Sequence, residues 1–222
     1  EHPIFNEGHI IVAGQLENAV NKRVELTILE PTGKVKHITK ANEKGEFHFS
    51  VNVLNAHDNY FRAGKLTRVY LEPNDSLYIT GDYNNIKETI KFSGDNAKMN
   101  TCLRVFSQEL GKRLTAEDYF YKYTKKAKVP VSAPDYKNII FSFFDKMNHV
   151  ADSIAKVYKS EEKTLIWMKT YIKYRKAEEI MEYASDYEGV LPKGFDYFNS
   201  VDFLKRGKLD FQCSQYYDDF LP

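Results

Sequence analysis

The chain has 222 residues, 42% apolar and 28% charged, ordinary globular proportions that exclude wholesale disorder. Thirty-two Lys and Arg balance thirty-one Asp and Glu for a formal charge of +1. That argues against a nucleic-acid binder, usually marked by a strongly basic domain or stripe. No apolar run approaches the roughly eighteen residues of a membrane-spanning helix, and two cysteines are too few for a disulfide-built miniprotein.

The chain opens Glu1-His2-Pro3, without an initiator methionine or a basic-then-apolar leader. A periplasmic or secreted protein whose signal peptide has been removed starts this way, and so does a trimmed fragment. From His9 to Phe92 the hydrophobic period is two. Val12, Gly14 and Leu16 alternate, then Val24, Leu26 and Ile28, then Phe47, Phe49, Val51 and Val53, and later Val69 with Leu71 and Leu77 with Ile79. Turn residues separate these runs at Pro31-Thr32-Gly33, Asn42 to Gly45, Pro73-Asn74-Asp75 and Gly81-Asp82. Alternation buries one face of each strand and wets the other. Short strands at this spacing predict an antiparallel β-sandwich of seven or eight strands over residues 1–94.

After Ser93-Gly94 the period becomes helical. Met99, Leu103, Phe106 and Leu110 form a stripe beside Cys102. Thr115 three residues before Asp118 reads as a helix start, with Tyr119 and Tyr123 following. Tyr136, Ile139, Ile140, Phe143, Phe144, Met147, Val150, Ala151, Ile154 and Tyr158 draw one wide apolar face, expected to be wholly buried. A further helix opens at Ser160 with Glu161 and Glu162 near its positive end. It carries Trp167, Tyr171, Tyr174, Ala177, Met181 and Ala184 on one stripe, with Lys169, Lys173 and Lys176 on an opposite face expected to be wet. Gly189 and Pro192 end it. The expected class is α+β: a sandwich domain over 1–94 and an α-helical bundle over 95–222 packed against it.

Chemistry-bearing residues are sparse. His2, His9, His37, His48, His57 and His149 show neither helical zinc spacing nor a Cys or Glu at ligand spacing, so no metal is expected. Cys102 and Cys213 do not form a Cys-x-x-Cys pair. Buried free thiols, a structural disulfide and a reactive nucleophile are the three readings, and two free thiols is the expectation, because nothing brings the segments together. Serine-hydrolase and phosphate-loop motifs are absent. Asp58, Asp75, Asp82 and Asp95 are assigned to turns, where Asp bonds the backbone; a glycosidase pair hidden among them is a remote third class. The rings of Tyr119, Phe120, Tyr121, Tyr123, Tyr216 and Tyr217 suit helix core first and stacking on a sugar or peptide second.

The order of motifs carries a resemblance. Val12-x-Gly14-x-Leu16-x-Asn18 is followed by Gly45-x-Phe47-x-Phe49. Then come Leu71-Glu72-Pro73-Asn74-Asp75-Ser76-Leu77-x-Ile79-x-Gly81 and Phe92-Ser93-Gly94-x-x-Ala97-x-x-Asn100-x-x-Leu103. Over residues 9–110 this resembles the N-terminal region of thiol-disulfide oxidoreductases of the TlpA/ResA type from Bacteroidetes. There a β-sandwich of unknown function and a helical segment precede a thioredoxin-like domain. The family commonly has Gly where Asn74 stands, and Asn tolerates the same backbone. The family's redox Cys-x-x-Cys has no counterpart here, so no catalytic or cofactor-binding residue carries over. The resemblance implies a non-catalytic accessory region of a periplasmic or cell-envelope oxidoreductase, partnered by a thioredoxin-like domain in cis or in trans. The alternative is a stand-alone cell-envelope binding module for a glycan or peptide, using a groove between sandwich and helices.

Overall fold

The computed structural model describes residues 7–30, 33–116 and 132–186. Among them are eight strands: β1 (Gly8–Glu17), β2 (Arg23–Glu30), β3 (Gly33–Lys40), β4 (Glu46–Val53), β5 (His57–Ala63), β6 (Lys65–Leu71), β7 (Ser76–Asp82) and β8 (Lys91–Gly94). The helices are a short α1 (Ile86–Thr89) and three long ones, α2 (Ala97–Ala116), α3 (Ala133–Tyr158) and α4 (Glu162–Asp186). The class is α+β, with the strands in two four-stranded sheets ordered β4-β1-β7-β8 and β3-β2-β5-β6. The chain divides into two compact units, 1–104 and 105–222, so the division falls within α2.

In the first unit the period-two residues build one core. Ile10, Val12 and Leu16 from β1 join Phe47, Phe49, Val51 and Val53 from β4, and Val24, Leu26, Ile28, Phe61, Val69 and Leu71 from the other sheet. Each buried side chain of this size contributes about 1.5–3 kcal/mol. One pairing departs from the antiparallel expectation: β1 lies parallel to β7, from Ile11 opposite Ser76 to Glu17 opposite Asp82. Gly14 is required at their crossing, since a Cβ there would sit 1.9 Å from the Ile79 carbonyl oxygen. Strand β2 is buried on both faces. Its Glu25 is held by the Arg23 guanidinium at 2.8 Å and by the Thr27 hydroxyl at 3.3 Å.

In the second unit α3 and α4 form a hairpin, turned at Lys159, whose φ of 47° is left-handed and whose N–H returns to the α3 carbonyls. Ser132 caps α3, accepting from the Asp135 N–H at 3.3 Å. The α3 stripe is buried from Tyr136 to Ile154, but Ile139 and Val150 are only half-buried and Tyr158 is 36% exposed. The expectation of a wholly buried face therefore fails at Ile139 and Val150 and most of all at the last turn, where the chain already leaves for α4. On α4, Trp167 stacks on Tyr171 at 5.5 Å, and Phe106 meets Tyr171 edge-on at 5.8 Å. The opposite face is not uniformly wet. Lys169 is exposed and pairs with Asp152 at 2.7 Å, whereas Lys173 and Lys176 are half-buried. Lys176 lies over the Phe141 ring at 4.3 Å, where burial holds its ammonium below its usual range against the pull of Asp145.

Thr115 falls in the last turn of α2 rather than opening a helix. Asp118, Tyr119, Phe120, Tyr121, Tyr123, Gly189, Pro192, Cys213, Tyr216 and Tyr217 lie outside the described residues, as do the side chains of Met181 and Ala184.

Candidate functional site

Within the first unit, the motif segments meet where the turn before β7 approaches the start of α2. Asn74 takes the left-handed conformation its turn requires, with φ of 72°. Asp75 then folds back. One carboxylate oxygen accepts the Glu72 N–H at 2.8 Å and the Asn96 side-chain amide at 2.9 Å, while its carbonyl accepts the Ile11 N–H at 2.9 Å. Burial pushes the Asp75 carboxyl above its usual range, with the Asn96 and Glu72 hydrogen bonds pulling the other way. Asp95 accepts the Ser76 N–H and donates its own N–H to the Ser76 carbonyl, both at 2.9 Å. Gly94, at φ of 89°, is needed beside them because a Cβ would stand 2.2 Å from the Ser76 carbonyl oxygen.

Asn100 completes the junction. It is fully buried, accepts the Tyr70 N–H at 2.7 Å and donates to the Tyr70 carbonyl at 2.9 Å. Tyr70 lies on β6, an edge strand of its sheet. The Asn100 amide thus pairs both backbone groups of Tyr70 as a neighbouring strand would. The signal for it was legible as Asn100 in the Ala97-x-x-Asn100-x-x-Leu103 motif, but not the strand it closes.

The same unit carries an open groove of about 660 Å³ across the ends of β1 and β7, lined by Glu17, Asp82, Glu88, Lys91 and Arg104 among others. Asp82 accepts from the Asn18 amide at 3.0 Å and from the Asn84 N–H at 2.9 Å, and these bonds hold its carboxyl below its usual range. The Thr89 hydroxyl donates to the Asn85 carbonyl and accepts the Asp82 N–H, both at 2.8 Å. The lining therefore offers charges and hydrogen-bond groups to a polar ligand. Asp82 and Thr89 are themselves engaged in shaping the turn.

The remaining sequence candidates are dispersed. Asp58, assigned to a turn, is instead fully buried within β5 and pairs with Arg68 of β6 at 3.1 Å. The neighbouring strand supplies the countercharge that makes a buried carboxylate tolerable. Its neighbour His57 donates Nδ1–H to the Asp58 carbonyl at 2.9 Å. His9 meets the Ser50 hydroxyl at 2.7 Å on the wet face of β1. Among the described residues no three His, Cys, Asp or Glu converge to hold a metal. Cys102 is a buried free thiol; burial pushes it up, against the weaker pull of Lys98, which is the reverse of an activated nucleophile. No described helix is long and apolar enough to cross a membrane. No family model, no curated protein and no solved structure matches the chain.

Proposed function

We propose that this chain is the non-catalytic accessory region of a thioredoxin-like thiol-disulfide oxidoreductase of the periplasm or cell envelope, the TlpA/ResA-type assembly its motifs resemble. Its role is to position or regulate the redox domain, in cis or in trans, or that domain's substrate. The observation that carries the reading is the use made of the motif residues. Asn74, Asp75, Gly94 and Asn100 are spent on backbone geometry and backbone hydrogen bonds, as a scaffold requires. The buried, upward-shifted Cys102 thiol supports the same reading.

Reduction of insulin disulfides tests it. The chain alone should turn over no faster than its Cys102→Ser, Cys213→Ser variant, and adding it to a thioredoxin-like domain of this type should change that domain's kcat/KM. Turnover by the chain itself above the double variant would contradict the proposal.

The groove beside Arg104 favours a second reading, a cell-envelope binding module whose polar lining takes a glycan or a peptide. Titration calorimetry with wall-derived oligosaccharides and short peptides separates the two. Micromolar binding abolished by Arg104→Ala would favour the module.

A further inference from the structure

Four strands form the margins of the two sheets, and they are finished differently. The β6 margin is closed at Tyr70 by Asn100. Strand β8 has only four residues. Strand β4 alternates buried aromatic and aliphatic residues with exposed Glu46, His48, Ser50 and Asn52, a mixed surface of no dominant charge. Strand β3 is different. Its eight residues pair with β2 on one side alone, and no described residue takes up the backbone groups on the other.

The side chains along β3 are of one sign. Lys34, Lys36 and Lys40 are exposed and make no ion pair with any described residue, and no acid lies in the strand. Across the ladder, Lys40 stands opposite Arg23, whose partner is the buried Glu25. In a chain of formal charge +1 this is a marked segregation of charge. Two apolar side chains share the strand: Ile38, 54% exposed on the face of Lys34, Lys36 and Lys40, and Val35, 40% exposed on the other.

We infer that the outer edge of β3 is a β-augmentation site for an acidic, extended peptide segment of a partner protein. Alternate N–H and C=O groups on a free edge match another peptide backbone, which donates and accepts in turn. Phosphate chains only accept and have nothing for the carbonyls or for Ile38 and Val35. A second copy of this chain is disfavoured, since antiparallel pairing of β3 with itself sets lysine against lysine. The fitting segment carries Asp or Glu across from Lys34, Lys36 and Lys40 and apolar residues across from Ile38 and Val35. The lysines that guard the edge against indiscriminate pairing select this partner. The inference is independent of the accessory role proposed above.

Fluorescence anisotropy with the full chain tests it. The probe is a labelled peptide with the sequence Glu-Thr-Val-Thr-Glu-Val-Glu, which in antiparallel pairing sets Glu across from Lys40, Lys36 and Lys34 and Val across from Ile38 and Val35. Its controls are the same peptide N-methylated at alternate amides, a counterpart with Lys in place of Glu, and heparin as a plain polyanion. The parent peptide should bind saturably, and both N-methylation and the triple variant Lys34→Glu, Lys36→Glu, Lys40→Glu should weaken it at least about tenfold. No binding, or equal binding of the N-methylated peptide, overturns the proposal. Binding of heparin and both acidic peptides alike reveals a polyanion surface and overturns it too. Should the triple variant lose its native circular dichroism, the two peptides against the wild-type chain still decide.

Discussion

Both units bury carboxylates beside a countercharge, Asp58 with Arg68 and Glu25 with Arg23 in the strand unit and Glu179 with Arg175 in the helical one. The strand unit also buries polar side chains for a second reason. In the strand unit, Asn59 accepts the Leu29 N–H at 2.9 Å and donates to the His57 carbonyl at 3.0 Å; Asp75 serves Glu72, and Asn100 serves Tyr70. Each stands in for a strand or turn partner that the sheet does not provide. In the helical unit, Glu179 is buried against Arg175 one turn away, and its own carbonyl accepts the Tyr136 hydroxyl at 3.0 Å. That carboxylate is matched to a charge, not to a stranded amide. A helix satisfies its own main chain except at its ends, whereas a sheet leaves backbone groups over at every edge. Sheet margins and turns are therefore where Asn and Asp become structural, as Asn74, Asp75 and Asn100 do.

Four substitutions sharpen or break that contrast. The largest effect belongs to the helical unit's apolar stripe: Phe143→Ala removes a ring that is 2% exposed and packs edge-on against Phe144. It should cost about 3–5 kcal/mol in chemical denaturation. In the strand unit, Asn100→Ala strands the N–H and C=O of Tyr70, at about 1–3 kcal/mol for each group left unpaired. A loss for Asn100→Ala as small as that of a surface change would break the edge-closure argument.

Asp75→Asn is smaller and depends on pH. In the folded chain the Asp75 carboxyl keeps its proton to higher pH than when unfolded. Its contribution thus favours folding below the usual carboxylate range and is lost as pH rises through the raised folded value. Asn retains a carbonyl oxygen to accept from Glu72 and Asn96 without the charge. The melting temperature of Asp75→Asn relative to wild type should therefore climb as pH goes from about 4 towards 7. A flat difference would show that the carboxylate is not penalised. The smallest effect is expected at the exposed end of the α3 stripe, where Tyr158→Ser should stay within about 0.5 kcal/mol by thermal melting.

The same contrast explains what the sequence made legible. Strands with one wet and one buried face, β1 and β4, announced themselves by alternation, as did the stripes of α2 and α3. Strand β3 did not, because both its faces are largely exposed and no buried alternation runs from Lys34 to Lys40. Strand β5 did not, because Asp58 and Asn59 interrupt its apolar run, and only Arg68 and the Leu29 N–H make them acceptable inside. The parallel pairing of β1 with β7 has no local signature, since alternation is the same in either sense. Of the junction, the turn at Asn74 was readable from its chemistry and the break at Gly94 from the change of period. The closure of Tyr70 by Asn100, thirty positions away, depends on topology alone.

Amide hydrogen exchange at Tyr70 tests the edge-closure claim most directly. In the wild-type chain its N–H should exchange slowly for an edge strand, and Asn100→Ala should speed it by tenfold or more while amides of β2, inside the same sheet, change little. Unchanged protection at Tyr70 in that variant would contradict the structural role assigned here to the motif.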